Sequence, residues 1–418
     1  MSGAPPPIAG ARGSFLPQIE SLRGYMALAV AYTHCIIALL YSVVPPVQAG
    51  DRFVWNGIVV PLAVLLNGRA AVIVFFVISG LVLSLALDHA CERLTVRSWS
   101  RFAWRRALRI YPAHLAALGL FVPVAYLLIF RVPVLEPERL AANHAMHKAW
   151  IDGFVYGRFI PVELVKTGIL YDNFYNPVTW TLQVEILGSL FLPLFALLSR
   201  PGRLGRDLAL LALLILAAAL LVDANKRPDL FPSYLPAFYL GCMARTHGRR
   251  WCSALGENRR LQLGWLLGVV TLMALPAWFV PIGVHALPAI LAMTLGAFGT
   301  VTLLAWSRPA GVSGFLLRPA SRWIGRLSYS FYLWHDLVLF AYIRLLLALV
   351  PPDLLSHSTL AVLCLTLIVT IPLAFVPAYF SWALVEVPFV AFGKRWARRA
   401  PTRPAPAEPD SREALQCP

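Results

Sequence analysis

The chain alternates long apolar runs with short polar stretches. Ten runs stand out, at about 23–43, 68–87, 113–130, 179–198, 207–222, 233–244, 262–280, 286–306, 327–350 and 359–387. Most reach the ~18 residues at which an apolar stretch reads as a helix crossing a hydrocarbon core of roughly 30 Å. The pattern predicts an all-α integral membrane protein of about ten transmembrane helices. The run at 233–244 is the short one. The apolar stretch 57–66 reads either as an earlier start of the second span or as a re-entrant or surface helix. No internal repeat is visible, so the inverted-repeat signature of many transporters is missing.

Composition agrees: 59% of the 418 residues are hydrophobic and 13% charged, against about 25% charged in soluble domains. A net charge of +16 would suggest nucleic acid in a soluble protein, but its placement argues for a bilayer and no nucleic acid. With the N-terminus inside, 26 of the 36 Lys and Arg residues fall in segments predicted to be cytoplasmic. The outer loops hold eight: Arg52, Arg131, Arg139, Lys148, Arg158, Lys166, Lys226 and Arg227. That asymmetry sets the orientation, with both termini cytoplasmic in a multi-pass protein of the cell (inner) membrane. Residues 1–17 and 396–418 read as disordered cytoplasmic ends around a transmembrane domain at 18–395, with no cleavable signal peptide. The six cysteines show no paired spacing, so neither a disulfide framework nor a metal site is indicated.

Ionisable residues inside such runs are functional candidates, because each costs several kcal/mol unless partnered. Arg23 and His34 stand eleven residues apart, about three helical turns and roughly 16 Å, on one face of the first span. His34 then sits near the midplane when Arg23 sits at a surface; a hydrogen-bonded core histidine is the plainer reading. Glu185 opens the fourth span in Trp180-Thr-Leu-Gln-Val-Glu185 and needs a cationic partner, with His34 and Arg69 as candidates. The arginines at 93, 97, 101, 105 and 109 make a basic stripe suited to anionic headgroups. Arg106 and Arg109, where that stripe meets the third span, form a guanidinium pair suited to a phosphate-bearing substrate. Ser79 and Gly80 in Phe75-Phe76-Val-Ile-Ser79-Gly80 serve either close helix packing or a ligand approaching the backbone. His335 and Asp336 form an ionisable pair in the ninth span, and Glu386 near the last cytoplasmic end reads as structural.

In order, Arg23-x10-His34, Phe75-Phe76-x-x-Ser79-Gly80, Arg106-x-x-Arg109, Trp180-Thr181-Leu182-x-x-Glu185, Ser328-Tyr329-x-x-Tyr332-Leu333-x-His335 and Glu386-x-Pro388 resemble the acyltransferase 3 family of integral membrane O-acyltransferases. The resemblance covers about 18–395 and lacks the hydrolase-like domain fused to some members. It implies transfer of an acyl group, often acetyl, from cytoplasmic acyl-CoA to a hydroxyl of a surface carbohydrate or a small molecule. Acyl-CoA is then a co-substrate, and no cofactor is permanently bound. His34, Arg23 and Glu185 become the catalytic candidates. Arg23, Arg106, Arg109, Ser79 and Gly80 would hold the donor, and Trp180, Tyr332 and His335 would support the acceptor. The rival class is a proton-coupled transporter or flippase using Arg23, His34 and Glu185 as a relay.

Overall fold

The computed structural model describes residues 16–42, 55–90, 95–132, 161–225, 231–255, 258–279, 286–307, 312–351 and 359–399. Among these residues the secondary structure is helical, with no strand. Helix α1 (Pro17–Ser42) carries Arg23 and His34. A π-helical turn (Trp55–Val59) and α2 (Val60–Leu65) lead into α3 (Gly68–Ala90). The apolar stretch 57–66 is therefore a separate helical piece, broken from α3 at Leu66 and Asn67. The single helix α4 (Val96–Arg131) joins the basic stripe to the third apolar run, passing through Pro112 and Pro123. Thr95 caps it, its hydroxyl accepting the Ser98 N–H at 3.1 Å. Arg93 lies outside the described residues.

Beyond α4 come α5 (Pro161–Gly168), a 3-10 turn (Pro177–Thr179), α6 (Trp180–Leu198) and α7 (Leu204–Asn225). A second 3-10 turn (Phe231–Tyr234) opens α8 (Leu235–Leu255), followed by α9 (Arg259–Phe279) and α10 (Leu287–Trp306). The short α11 (Val312–Leu316) precedes α12 (Pro319–Leu349) and α13 (Thr359–Ser381). A π-helical turn (Trp382–Glu386) then leads into α14 (Val387–Arg399).

Nine segments among the described residues are long and apolar enough to cross a membrane. The short run expected at 233–244 does not qualify by itself. It is the buried first half of α8, whose second half carries Arg245, Arg249 and Arg250. Residues 396–399, expected in the disordered tail, close α14 as helix; the rest of that tail and residues 1–15 lie outside the described residues.

Two glycine crossings fix the bundle where the site lies. At the first, a Cβ on Gly24 of α1 would come within 2.8 Å of the Gly325 nitrogen of α12. At the second, a Cβ on Gly80 of α3 would collide with the Phe238 carbonyl of α8, and one on Gly241 with the Val77 carbonyl. Small residues at such points let helix backbones touch inside a membrane, where packing replaces the hydrophobic drive. Phe76 stacks on Phe238 beside the second crossing, with ring centroids 5.2 Å apart. Exposed leucines such as Leu213, Leu220, Leu263 and Leu267 line α7 and α9, the composition of lipid-facing surface.

Candidate functional site

Two polar levels lie along α1, at His34 and at Arg23. At the first, close packing of α1 on α12 brings His34 against His335 and Asp336. The His34 Nδ1 lies 3.1 Å from the His335 Nε2 and 3.6 Å from the Asp336 Oδ1. The His335 Nδ1 lies 2.8 Å from the Tyr332 carbonyl. A carbonyl only accepts, so that His335 nitrogen carries a proton. In a neutral His335 the Nε2 is then the acceptor, and the His34 Nδ1–H donates to it. The basic nitrogen of His34 is consequently Nε2. His34 keeps 23% of its side-chain surface accessible while Asp336 is fully buried. Of the three side chains, His34 is the most accessible.

The start of α3 braces this level. The Thr33 hydroxyl accepts the Gly68 N–H at 3.1 Å, and the Asn67 side-chain oxygen accepts the N–H groups of Arg69 and Ala70. These contacts satisfy amide groups that a helix N-terminus leaves open inside the bundle. Tyr332 donates its hydroxyl to the Val178 carbonyl at 3.2 Å and accepts from Thr181 at 3.0 Å. It thereby ties α12 to the entry of α6. Trp180 lies under the Arg69 guanidinium, 5.7 Å from its carbon to the ring centre, and Arg69 donates to the Tyr234 hydroxyl at 3.2 Å.

At the second level the partner of Glu185 is Arg106, at 2.6 Å. Ser79 donates to the same carboxylate oxygen at 3.4 Å. This corrects the expectation that His34 or Arg69 would pair with Glu185. Glu185 lies at the level of Arg23, whose charge it feels together with those of Arg106 and Arg109, and so about half a hydrocarbon core from His34 by helix rise. Arg109 pairs with Glu386 at 3.5 Å, and Ser330 donates to that glutamate at 3.0 Å. Glu386 is buried in the π-helical turn after α13. Tyr329 donates to the Ile110 carbonyl at 2.7 Å.

The expected site residues therefore separate. His34, Tyr332 and His335 meet at one level, and Arg23, Arg106, Arg109, Ser79 and Glu185 at the other; Trp180 stands apart with Arg69 and Tyr234. Gly80 is corrected: its bare face is filled by α8 and offers a ligand no approach. Sequence reasoning missed the contact of Asp336 with His34 and the participation of Glu386. The signal for the first was a carboxylate in an apolar run next to a histidine. Glu20 also lies within electrostatic reach of Arg23, Arg109, Arg322 and Arg326. At this second level five guanidiniums, those four and Arg106, therefore face the three carboxylates Glu20, Glu185 and Glu386. Arg23 makes no ion pair within 4 Å among the described residues, and the excess of positive charge suits an anion.

Searches of curated proteins and of solved structures gave no match to the chain. A family model described as an acyltransferase domain matches residues 16–379, which include both polar levels except Glu386. With this match over nearly the whole chain, and with an all-helical membrane bundle around an intramembrane histidine, the chain belongs to the acyltransferase 3 family of integral membrane O-acyltransferases.

Proposed function

We propose that the protein moves an acyl group, acetyl by the family resemblance, from cytoplasmic acyl-CoA to a hydroxyl of a surface carbohydrate or a small molecule. The observation that carries this reading is the array Tyr332 carbonyl–His335–His34, with Asp336 beside it. It leaves one partly accessible imidazole with a defined basic nitrogen. The arginine-rich end faces the cytoplasm of a cell membrane by its charge. Donor phosphates meet Arg23 and Arg109 there, and the pantetheine arm follows α1 towards His34.

The chemistry balances at His34. Its Nε2 takes the proton of the acceptor hydroxyl while that oxygen attacks the thioester carbonyl. The carbon–sulfur bond then breaks, and the imidazolium returns the proton to the departing thiolate. The acceptor leaves as an ester, coenzyme A as a thiol, and His34 is neutral again. Such general base catalysis contributes typically 10²–10⁴-fold. Asp336 offsets the positive charge that His34 carries midway, and His335 holds the ring orientation.

The test is purified protein in lipid vesicles with acetyl-CoA and hydroxyl acceptors, following thiol release and the acceptor's mass. Release matched by a gain of one acetyl group is the expected result. Movement of an acceptor across the vesicle wall with no thiol release would instead support transport. Orientation is checked separately: a tag at 253 should be reached only from inside, and one at 354 from outside.

A further inference from the structure

A cavity of about 390 Å³ lies where α3, α4, α6 and α8 meet, towards the arginine-rich end from the second polar level. It is lined by Asp88 at the end of α3, by Trp99, Phe102 and Arg105 of α4, by Arg200 just after α6, and by Arg245 of α8. Phe102 stands one turn before Arg106 on the same face of α4, about 6 Å along its axis. The cavity therefore continues the α3–α4–α6 interface that holds Ser79, Arg106 and Glu185. Its volume lies in the range of small-molecule sites, roughly 300–1,000 Å³.

The polar lining is unbalanced. Arg245 is more than nine-tenths buried and ion-paired with Asp88. It also donates to the carbonyls of Ala196 at 3.0 Å and Ser199 at 2.7 Å. Its Nε is nevertheless buried without a partner among the described residues, a cost that a native interior rarely carries for nothing. Arg105 and Arg200 stand exposed at the mouth. Three guanidiniums against one carboxylate leave two surplus positive charges. A phosphate monoester carries about −1.5 to −2 at neutral pH, and aromatic faces such as Trp99 and Phe102 are the usual platforms for a nucleobase.

We propose that this cavity holds the adenosine 3′-phosphate end of the donor, with Arg105, Arg200 and Arg245 on the phosphate. The inference rests on the acyl-CoA reading above and extends it. The donor's parts run thiol, pantetheine arm, diphosphate, adenosine 3′-phosphate, and the protein presents His34, the face of α1, Arg23 with Arg109, and this cavity in the same order.

The experiment compares KM for acetyl-CoA and acetyl-3′-dephospho-CoA on the full-length protein in vesicles. Wild type should prefer the phosphorylated donor by about 10- to 100-fold, the worth of charge-assisted hydrogen bonds to one phosphate. In the double variant Arg105→Gln, Arg200→Gln that ratio should fall towards one, whereas general damage would raise both KM values together. If the double variant does not fold, Arg105→Gln alone should lower the same ratio. A wild type indifferent to the 3′-phosphate, or a variant that keeps the full ratio, would overturn the subsite while turnover upheld the acyl-CoA reading. A variant that loses only a dependence on phosphatidylglycerol in the vesicle would mark a lipid headgroup site and also overturn it. No turnover with either donor would overturn both readings.

Discussion

Asp336→Asn is the most informative single change, because it removes a charge and little else. The carboxylate lies 3.6 Å from the His34 Nδ1. It meets a full positive charge only when His34 has taken the acceptor's proton. At an effective dielectric of ~20, two unit charges at that separation attract by about 4–5 kcal/mol. The attraction is absent in the resting state, so its loss falls on turnover and not on donor binding. An asparagine dipole retains part of it, which leaves an expected drop of about 10²–10³ in kcat. Folding should not suffer, since the side chain is fully buried and an amide is cheaper to bury than a carboxylate. The assay is thiol release from acetyl-CoA by purified protein, with donor affinity and thermal unfolding measured on the same sample. Turnover within about threefold of wild type, in a variant that unfolds at the wild-type temperature, would refute the role of Asp336 and the imidazolium it is meant to offset.

Three further outcomes follow from the geometry. His34→Gln keeps a hydrogen-bonding side chain but loses the titratable nitrogen, so turnover should fall at least ~10²-fold while donor binding persists; near-normal turnover would move the chemistry elsewhere. Arg106→Ala should destabilise the fold by about 3–5 kcal/mol by stranding Glu185, and adding Glu185→Gln should restore much of it in thermal unfolding. An unchanged unfolding temperature in the single variant would show that the ion pair contributes little. Gly80→Ala should cost about 3 kcal/mol or more, because backbone atoms of α8 cannot yield as a side chain can, whereas Gly264→Ala meets nothing within 4 Å and should unfold like wild type.

The bundle was legible because a span declares itself by length and hydropathy. α8 was legible only in its apolar first half, the short run at 233–244, because its second half is basic and tertiary burial, rather than apolar composition, holds the whole helix in place. The face shared by Arg23 and His34 could be read from helix period alone. Their partners could not. His335 and Asp336 point about 100° apart on α12, and only the close approach of α1 at Gly24 and Gly325 lets both reach one imidazole. Glu386 looked peripheral because the π-helical turn that swings it inward has no simple sequence period. The pairing of Glu185 with Arg106, and not with a residue on α1, depended on helix adjacency that no single span encodes.

The crossing of Gly80 and Gly241 also bears on how the protein is made. Helix α8 is too basic to partition into lipid unaided, and its buried half is matched to the bare face of α3. During synthesis α3 leaves the ribosome well over a hundred residues before its counterpart. It must wait in the bilayer with a glycine face open until α8 arrives and is drawn in against it. Assembly is therefore not a series of independent insertions. The join that frames Ser79 and the Glu185 ion pair closes late, and a chain truncated before residue 235 should present a membrane-integrated but unfinished bundle to the cell's quality control.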